Sequence, residues 1–188
     1  MTIPTEDEII ARTLAWVRHA VVGLNLCPFA ARPLARDRIR VVVSEADNEE
    51  ALLARLDKEL RLLQASPRDD IETTLLVHPH VLREFLDYND FLARADDGVR
   101  QADLEGEIQI ASFHPAYRFA GSGPDDIENA TNRSPWPTLH LLREASVSEA
   151  LEAVPDTDAI IAANGRRLRE LGPEGWRLLS ARWQAPRT

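Results

Sequence analysis

Apolar positions near the start of the chain recur three and four residues apart. Ile10, Leu14, Val17 and Val21 form a helical stripe up to Gly23, and Thr5 with Glu8 makes a capping box, so a first amphipathic helix is expected over about residues 5 to 22. The segment LNLCPFAARPL that follows is apolar and broken by prolines, and it reads as a loop. Ile39 to Ser44 is rich in β-branched residues and predicts a buried strand, after which Leu52, Leu53, Leu56, Leu60 and Leu63 return to helical spacing. A second strand is expected over about residues 72 to 77, ending at His78-Pro79-His80. A third helix then carries Val81, Leu82, Phe85, Leu86 and Leu92 to about Asp97. Glu107 to Phe113 alternates as a third strand, and Leu139 to Leu142 reads as a fourth.

Beyond the fourth strand, Ser146 with Glu149 repeats the capping-box pattern ahead of a short helix. Another helix, from about Asp158, closes on the stop signal Gly172-Pro173. The tail with Trp176 and Trp183 suits a helix or an edge strand. The order α-β-α-β-α-β-β-α predicts an α/β or α+β fold, with a single small sheet of about four strands flanked by helices in one domain over residues 1–188. A thioredoxin-like or ferredoxin-like core is compatible with that order, although a CxxC redox pair is absent.

Composition narrows the setting. The 188 residues are 44% hydrophobic, enough for a proper core, and the first twenty carry Glu6, Asp7, Glu8, Arg12 and Arg18 instead of a basic start and an apolar export segment. No apolar run approaches the length of a membrane span, so no membrane partner is expected. Cys27 is the lone cysteine, which fits a reducing compartment, and the expected address is the cytoplasm. A formal charge of −9 argues against nucleic acid as a partner, because phosphate contacts need a basic face.

Candidate chemistry concentrates in one place. Between the third and fourth strands, residues 112–137 form a loop far longer than an ordinary hairpin connection, and Tyr117, Phe119 and Trp136 argue that it is folded. If the two strands pair as a hairpin, His114 and His140 are expected to be neighbours. Cys27, His78 and His114 are each followed by proline, which drives the preceding residue into an extended conformation. Three chemistries could use these groups. In one, His114 and His140, joined by His78 or His80, bind zinc or iron with a carboxylate from Asp125, Asp126 or Glu128. In another, Cys27 is a thiol nucleophile activated by a histidine, although Leu24, Leu26 and Phe29 around it suggest a buried, inert sulfur. In the third, Arg133 and Arg118 bind a small anionic molecule, oriented by Asn129, Asn132, Ser134, Tyr117 and the amides of Gly121-Ser122-Gly123, with His114 or His140 as general acid or base. Asn25 is the polar member of an N-terminal loop expected to close over this site in the same reading. Against these stand two plainer readings: a non-catalytic ligand-binding or interaction module, and a loop that only pins the fold through pairs with Asp125, Asp126 and Glu144.

Three segments carry a family resemblance: GLNLCPFA at Gly23 to Ala30, QIASFHPAYRFAG at Gln109 to Gly121, and NATNRSPWPTLHLLRE at Asn129 to Glu144. In them the chain resembles an uncharacterised bacterial family, the domain of unknown function numbered fourteen-fifteen. The resemblance implies that the three stretches belong to one characteristic unit. It assigns no reaction, and it gives Cys27, His114, Arg133 and His140 no catalytic label.

Overall fold

The expected capping box forms. The Thr5 hydroxyl oxygen accepts from the Glu8 amide at 3.3 Å and the Thr5 amide donates to the Glu8 carboxylate at 2.9 Å, which opens α1 at Glu6–Trp16. The computed structural model, which describes residues 4–152 and 157–184, continues α1 into a π-helical turn at Val17–Val22. Such turns widen the helix by one residue and are frequent at functional sites. Gly23 closes the turn because a Cβ there would lie 2.2 Å from the His19 carbonyl oxygen.

The remaining elements follow in the expected alternation: α2 (Ala31–Ala35), β1 (Ile39–Val43), α3 (Glu49–Ala65), β2 (Thr73–Val77), α4 (Phe85–Gln101), β3 (Ile108–Phe113), β4 (Thr138–Arg143), α5 (Glu144–Glu152) and α6 (Thr157–Gln184). One open sheet runs in the order β1-β2-β4-β3, with β1 and β2 parallel and β4 antiparallel to both of its neighbours. This succession is not the β-α-β-β-α-β of a ferredoxin-like core. It keeps a parallel β-α-β step followed by a hairpin, with the first strand at the sheet edge.

Side chains alternate across the strands, so the sheet has two differently covered faces. Val42, Leu76, Leu139 and Leu141 pack with Leu56 and Leu60 of α3 and Phe91 of α4. On the opposite face, Leu75 and Phe113 meet Trp16, Val17 and Val21, with Trp183 of α6 closing the cluster. Leu56, Leu60 and Leu141 are 0% exposed, and burying each such side chain stabilises the fold by about 1.5–3 kcal/mol.

Three boundaries differ from the sequence expectation, each for a local reason. α4 begins at Phe85, because the Val81 and Leu82 carbonyl oxygens are engaged by the imidazoles of His78 and His114, and Leu82 takes a left-handed φ of 56°. α5 starts directly from the end of β4, so Ser146 lies inside the helix and caps nothing, while Glu149 pairs with Arg68 at 2.6 Å. α6 breaks at Gly172, whose φ of 69° suits glycine, and the tail beyond Pro173 is helical. Among the described residues no helix is long and apolar enough to cross a membrane.

Candidate functional site

Tyr88 of α4 sets the base of the long loop. Its hydroxyl donates to the Thr138 carbonyl at 2.9 Å and accepts from the Phe113 amide at 3.0 Å, joining the end of β3 to the start of β4 where the loop leaves the sheet. Burial pushes the Tyr88 phenol pKa up, so it stays a neutral strut. Above it the polar residues turn inward. Asn129, 0% exposed, accepts from the Phe119 amide (3.0 Å) and the Ser122 hydroxyl (2.7 Å) and donates to the Gly123 carbonyl (2.8 Å). The Asn132 side chain donates to the Ser112 carbonyl at 3.0 Å, and the Ser134 hydroxyl donates to the Trp136 carbonyl at 2.6 Å. These side chains are therefore the loop's own scaffold. A 3₁₀ turn, Ile127–Asn132, presents Ala130 to Leu26 and to Leu168 of α6, which ties the loop to the N-terminal segment.

The histidines do not converge as the hairpin argument expects. β3 and β4 do pair, but Ala111 lies opposite His140, and residue 114 is three positions further on. An odd offset along a strand reverses the face. His114 accordingly packs against Tyr88 and Phe85, with ring centroids at 5.1 and 5.6 Å, whereas His140 packs against Phe113 at 5.9 Å on the other side of the sheet. Nδ1 of His114 accepts from the Ala116 amide at 3.0 Å, leaving Nε2–H to face the Leu82 carbonyl at 3.3 Å. Both ring nitrogens are thus committed to backbone, and burial lowers the pKa. His78 lies on the His114 side, stacked on Tyr88 at 5.7 Å. Its Nδ1 is 3.1 Å from the Val81 carbonyl oxygen, its Nε2 is buried without a partner, and burial pushes its pKa down to about 4.

Arg133 is placed differently. Its Nε donates to the Tyr117 carbonyl at 3.3 Å and one Nη to the Pro124 carbonyl at 2.6 Å, so its structural contacts are carbonyl oxygens and not the carboxylates expected for a purely pinning role. Burial lowers its pKa against the opposing pull of Asp125 and Asp126, and as an arginine it stays cationic. With Ser134 and Trp136 it lines a pocket of about 290 Å³, completed by Arg12 of α1 and by Trp176, Ser180 and Trp183 of α6. The Trp136 indole N–H is buried and has no acceptor. Arg12 and the two α6 tryptophans lay outside the sequence expectation, since nothing in the spacing of residues 12, 133 and 176 foretells their meeting. Arg118 is exposed, and Tyr117 packs edge-on against Phe85 and Phe119 at 5.2 and 5.1 Å.

Asn25 adopts a left-handed φ of 50°, and its carbonyl accepts from Arg167 at 3.0 Å, while the Leu26 carbonyl accepts from Asn164 at 2.8 Å. This segment docks on α6 and is absent from the walls of the Arg133 pocket. Cys27 instead lines a separate cavity beneath the π-helical turn, together with His140. Burial raises the Cys27 pKa to about 11, so the thiol is protonated near neutral pH and is a poor nucleophile. For a metal, His114 and His78 share one side of the sheet and His140 the other. Of the three candidate carboxylates, Glu128 is held by Arg169, and Asp126 caps the 3₁₀ turn through the Glu128 amide at 3.0 Å. Among the described residues no three His, Cys, Asp or Glu side chains are grouped to hold a metal ion.

The fold and site thus define a mixed α/β protein with one small sheet, a self-bonded loop over its hairpin, and an arginine- and tryptophan-lined pocket beside it. The chain belongs to the family described as "Protein of unknown function (DUF1415)", which it matches over residues 8–178. No curated protein and no solved structure matches the chain.

Proposed function

We propose that the protein binds a small organic anion, a carboxylate or a phosphate, in the pocket between the long loop and the end of α6. The observation that carries this reading is the Trp136 indole N–H, a buried donor with nothing to donate to, on a residue that lines the pocket together with Arg12 and Arg133. A buried unsatisfied donor costs about 1–3 kcal/mol, and an anionic acceptor offsets that cost while meeting Arg12 and Arg133. Trp176 and Trp183, with rings 5.8 Å apart, add an apolar wall for the body of the ligand. Neither His114 nor His140 lines this pocket, so the geometry favours binding over proton transfer there.

Three of the four tryptophans border the pocket, which makes intrinsic fluorescence the natural readout. Titration with inorganic phosphate, succinate and citrate is expected to give a saturable change with at least one of them, weakened by salt, and none with neutral succinamide. Arg12→Ala is the informative variant, since Arg133 also holds loop carbonyls. Losing one charge-assisted contact of about 1.5–3 kcal/mol should weaken binding tenfold or more. No saturable change with any of the three anions, or equal affinity in Arg12→Ala, would sink the proposal.

A further inference from the structure

A second cavity lies on the other side of the molecule's chemistry, between the sheet face bearing Leu75 and His140 and the π-helical turn with α5. It measures about 50 Å³, and Trp16, Val21, Phe29 and Leu75 are among its apolar walls. Three polar side chains reach the same space. Glu72, 5% exposed, uses Oε1 to accept from Arg68 Nε at 3.2 Å and Nη2 at 3.0 Å, while its Oε2 is buried with no partner. The Ser146 hydroxyl is likewise buried and unpartnered. His140 is fixed by a relay: the Thr73 hydroxyl donates to the Leu141 carbonyl at 2.7 Å, so the contact of 2.7 Å between Thr73 Oγ1 and His140 Nε2 has the imidazole as donor. Its Nδ1 therefore carries a lone pair, and burial, which pushes its pKa down to about 4, keeps the ring neutral.

The cavity thus presents two acceptors, Glu72 Oε2 and His140 Nδ1, and one hydroxyl able to donate. Arg68 is shared between Glu72 and Glu149, and the Cys27 thiol is protonated, so the cavity offers no positive charge to recruit an anion. We propose that this cavity binds a small neutral primary amide, its NH₂ facing Glu72 and His140 and its carbonyl accepting from Ser146. The volume sets the size: one water needs about 10–15 Å³ of such space, so about 50 Å³ suits about four non-hydrogen atoms. The unpartnered carboxylate oxygen is what separates this assignment from a plain packing void, which would be lined by apolar atoms alone.

Acetamide, acetone and acetate have nearly the same shape and differ only in the group offered: two N–H donors, none, or a negative charge. Methyl NMR of the folded protein, followed at Leu75 and Val147, is expected to show saturable shifts with acetamide, at least tenfold weaker binding of acetone, and none of acetate. Glu72→Gln sharpens the test. Arg68 can only donate, so the new amide must turn its oxygen to Arg68 and its NH₂ into the cavity, replacing an acceptor by a donor. Acetamide should then lose at least tenfold in affinity and acetone should gain on it, in a variant whose spectrum shows it folded. Absence of saturable shifts with acetamide, as for a cavity holding water alone, would overturn the assignment. So would equal response to acetone, or unchanged preference in Glu72→Gln. Arg12→Ala, which tests the anion pocket, leaves this result unaffected.

Discussion

The long loop and the cavity wall under the π-helical turn treat polar groups in opposite ways. In the loop, Asn129, Asn132 and Ser134 look from the sequence like ligand contacts, yet every hydrogen bond they make goes to the loop or to the adjoining strand. In the cavity wall, Glu72 just before β2 and Ser146 in α5 read from the sequence as a strand start and a helix cap, yet each leaves a buried oxygen unpartnered. A polar-rich segment without regular structure must satisfy its own backbone, and short amide and hydroxyl side chains do that locally. In a strand or helix the regular ladder already satisfies the backbone, so the few polar side-chain atoms are left for something else. At Asn129, Asn132 and Ser134 polar side chains therefore mark scaffold, whereas Glu72 and Ser146 keep oxygens without a partner.

The largest effect that would break this contrast is expected at Asn129. Asn129→Ala removes three hydrogen bonds at a position 0% exposed and strands the Phe119 amide, while the Gly123 carbonyl keeps the Asp126 amide at 3.2 Å. A loss of about 2–4 kcal/mol in unfolding free energy, read from urea denaturation, follows from three hydrogen bonds of about 0.5–1.5 kcal/mol each. A loss below about 1 kcal/mol would mean the loop is not held from within, and its polar residues would return as ligand candidates.

Next in size is a pH dependence. The folded-state pKa of His78 is about 4, below the ordinary 6.5, so between those values the unfolded chain binds a proton that the folded one refuses. Stability is therefore complete above about pH 6.5 and falls as pH drops towards 4, by about 3 kcal/mol from this residue at 1.36 kcal/mol per pH unit. His78→Asn keeps an N–H for the Val81 carbonyl and cannot titrate. It should flatten the stability profile between pH 6.5 and 4 by about one proton's slope. A parallel profile in both proteins would show that the ring is solvated after all.

Much of the fold was legible in the chain. Helical stripes in α1 and α3, the β-branched run of β1 and the alternation of β3 read directly from apolar spacing, and all four strands lie where expected. The start of α4 did not, because residues 81 and 82 sit in an apolar stripe but their carbonyls are claimed by imidazoles, from His78 close by and from His114 over thirty residues away. The candidate site was legible in part. Arg133 and Ser134 do line a pocket, but Arg12, Trp176 and Trp183 come to it from helices at the two ends of the chain. The pairing of His114 with His140 failed on register, which a single sequence cannot supply: one residue's shift in β3 against β4 would have put both rings on one face.

Ser146 offers the smallest effect and the one of opposite sign. Its hydroxyl is buried within the first turns of α5 and bonds to nothing, while the side chain serves no cap because the helix has already begun at Glu144. Removing an unsatisfied buried hydroxyl relieves a desolvation penalty, and alanine is the better helix former, so Ser146→Ala should raise stability by about 1 kcal/mol in the unliganded protein. That sign is the reverse of Asn129→Ala, though both changes truncate a small polar residue. Thermal unfolding of Ser146→Ala with and without acetamide then separates two causes of the gain. A stabilisation that persists unchanged in acetamide leaves the hydroxyl as a local defect of the helix. One that shrinks as acetamide is added, because only the wild type gains a hydrogen bond from the bound amide, ties the cost of Ser146 to what the cavity is built to hold.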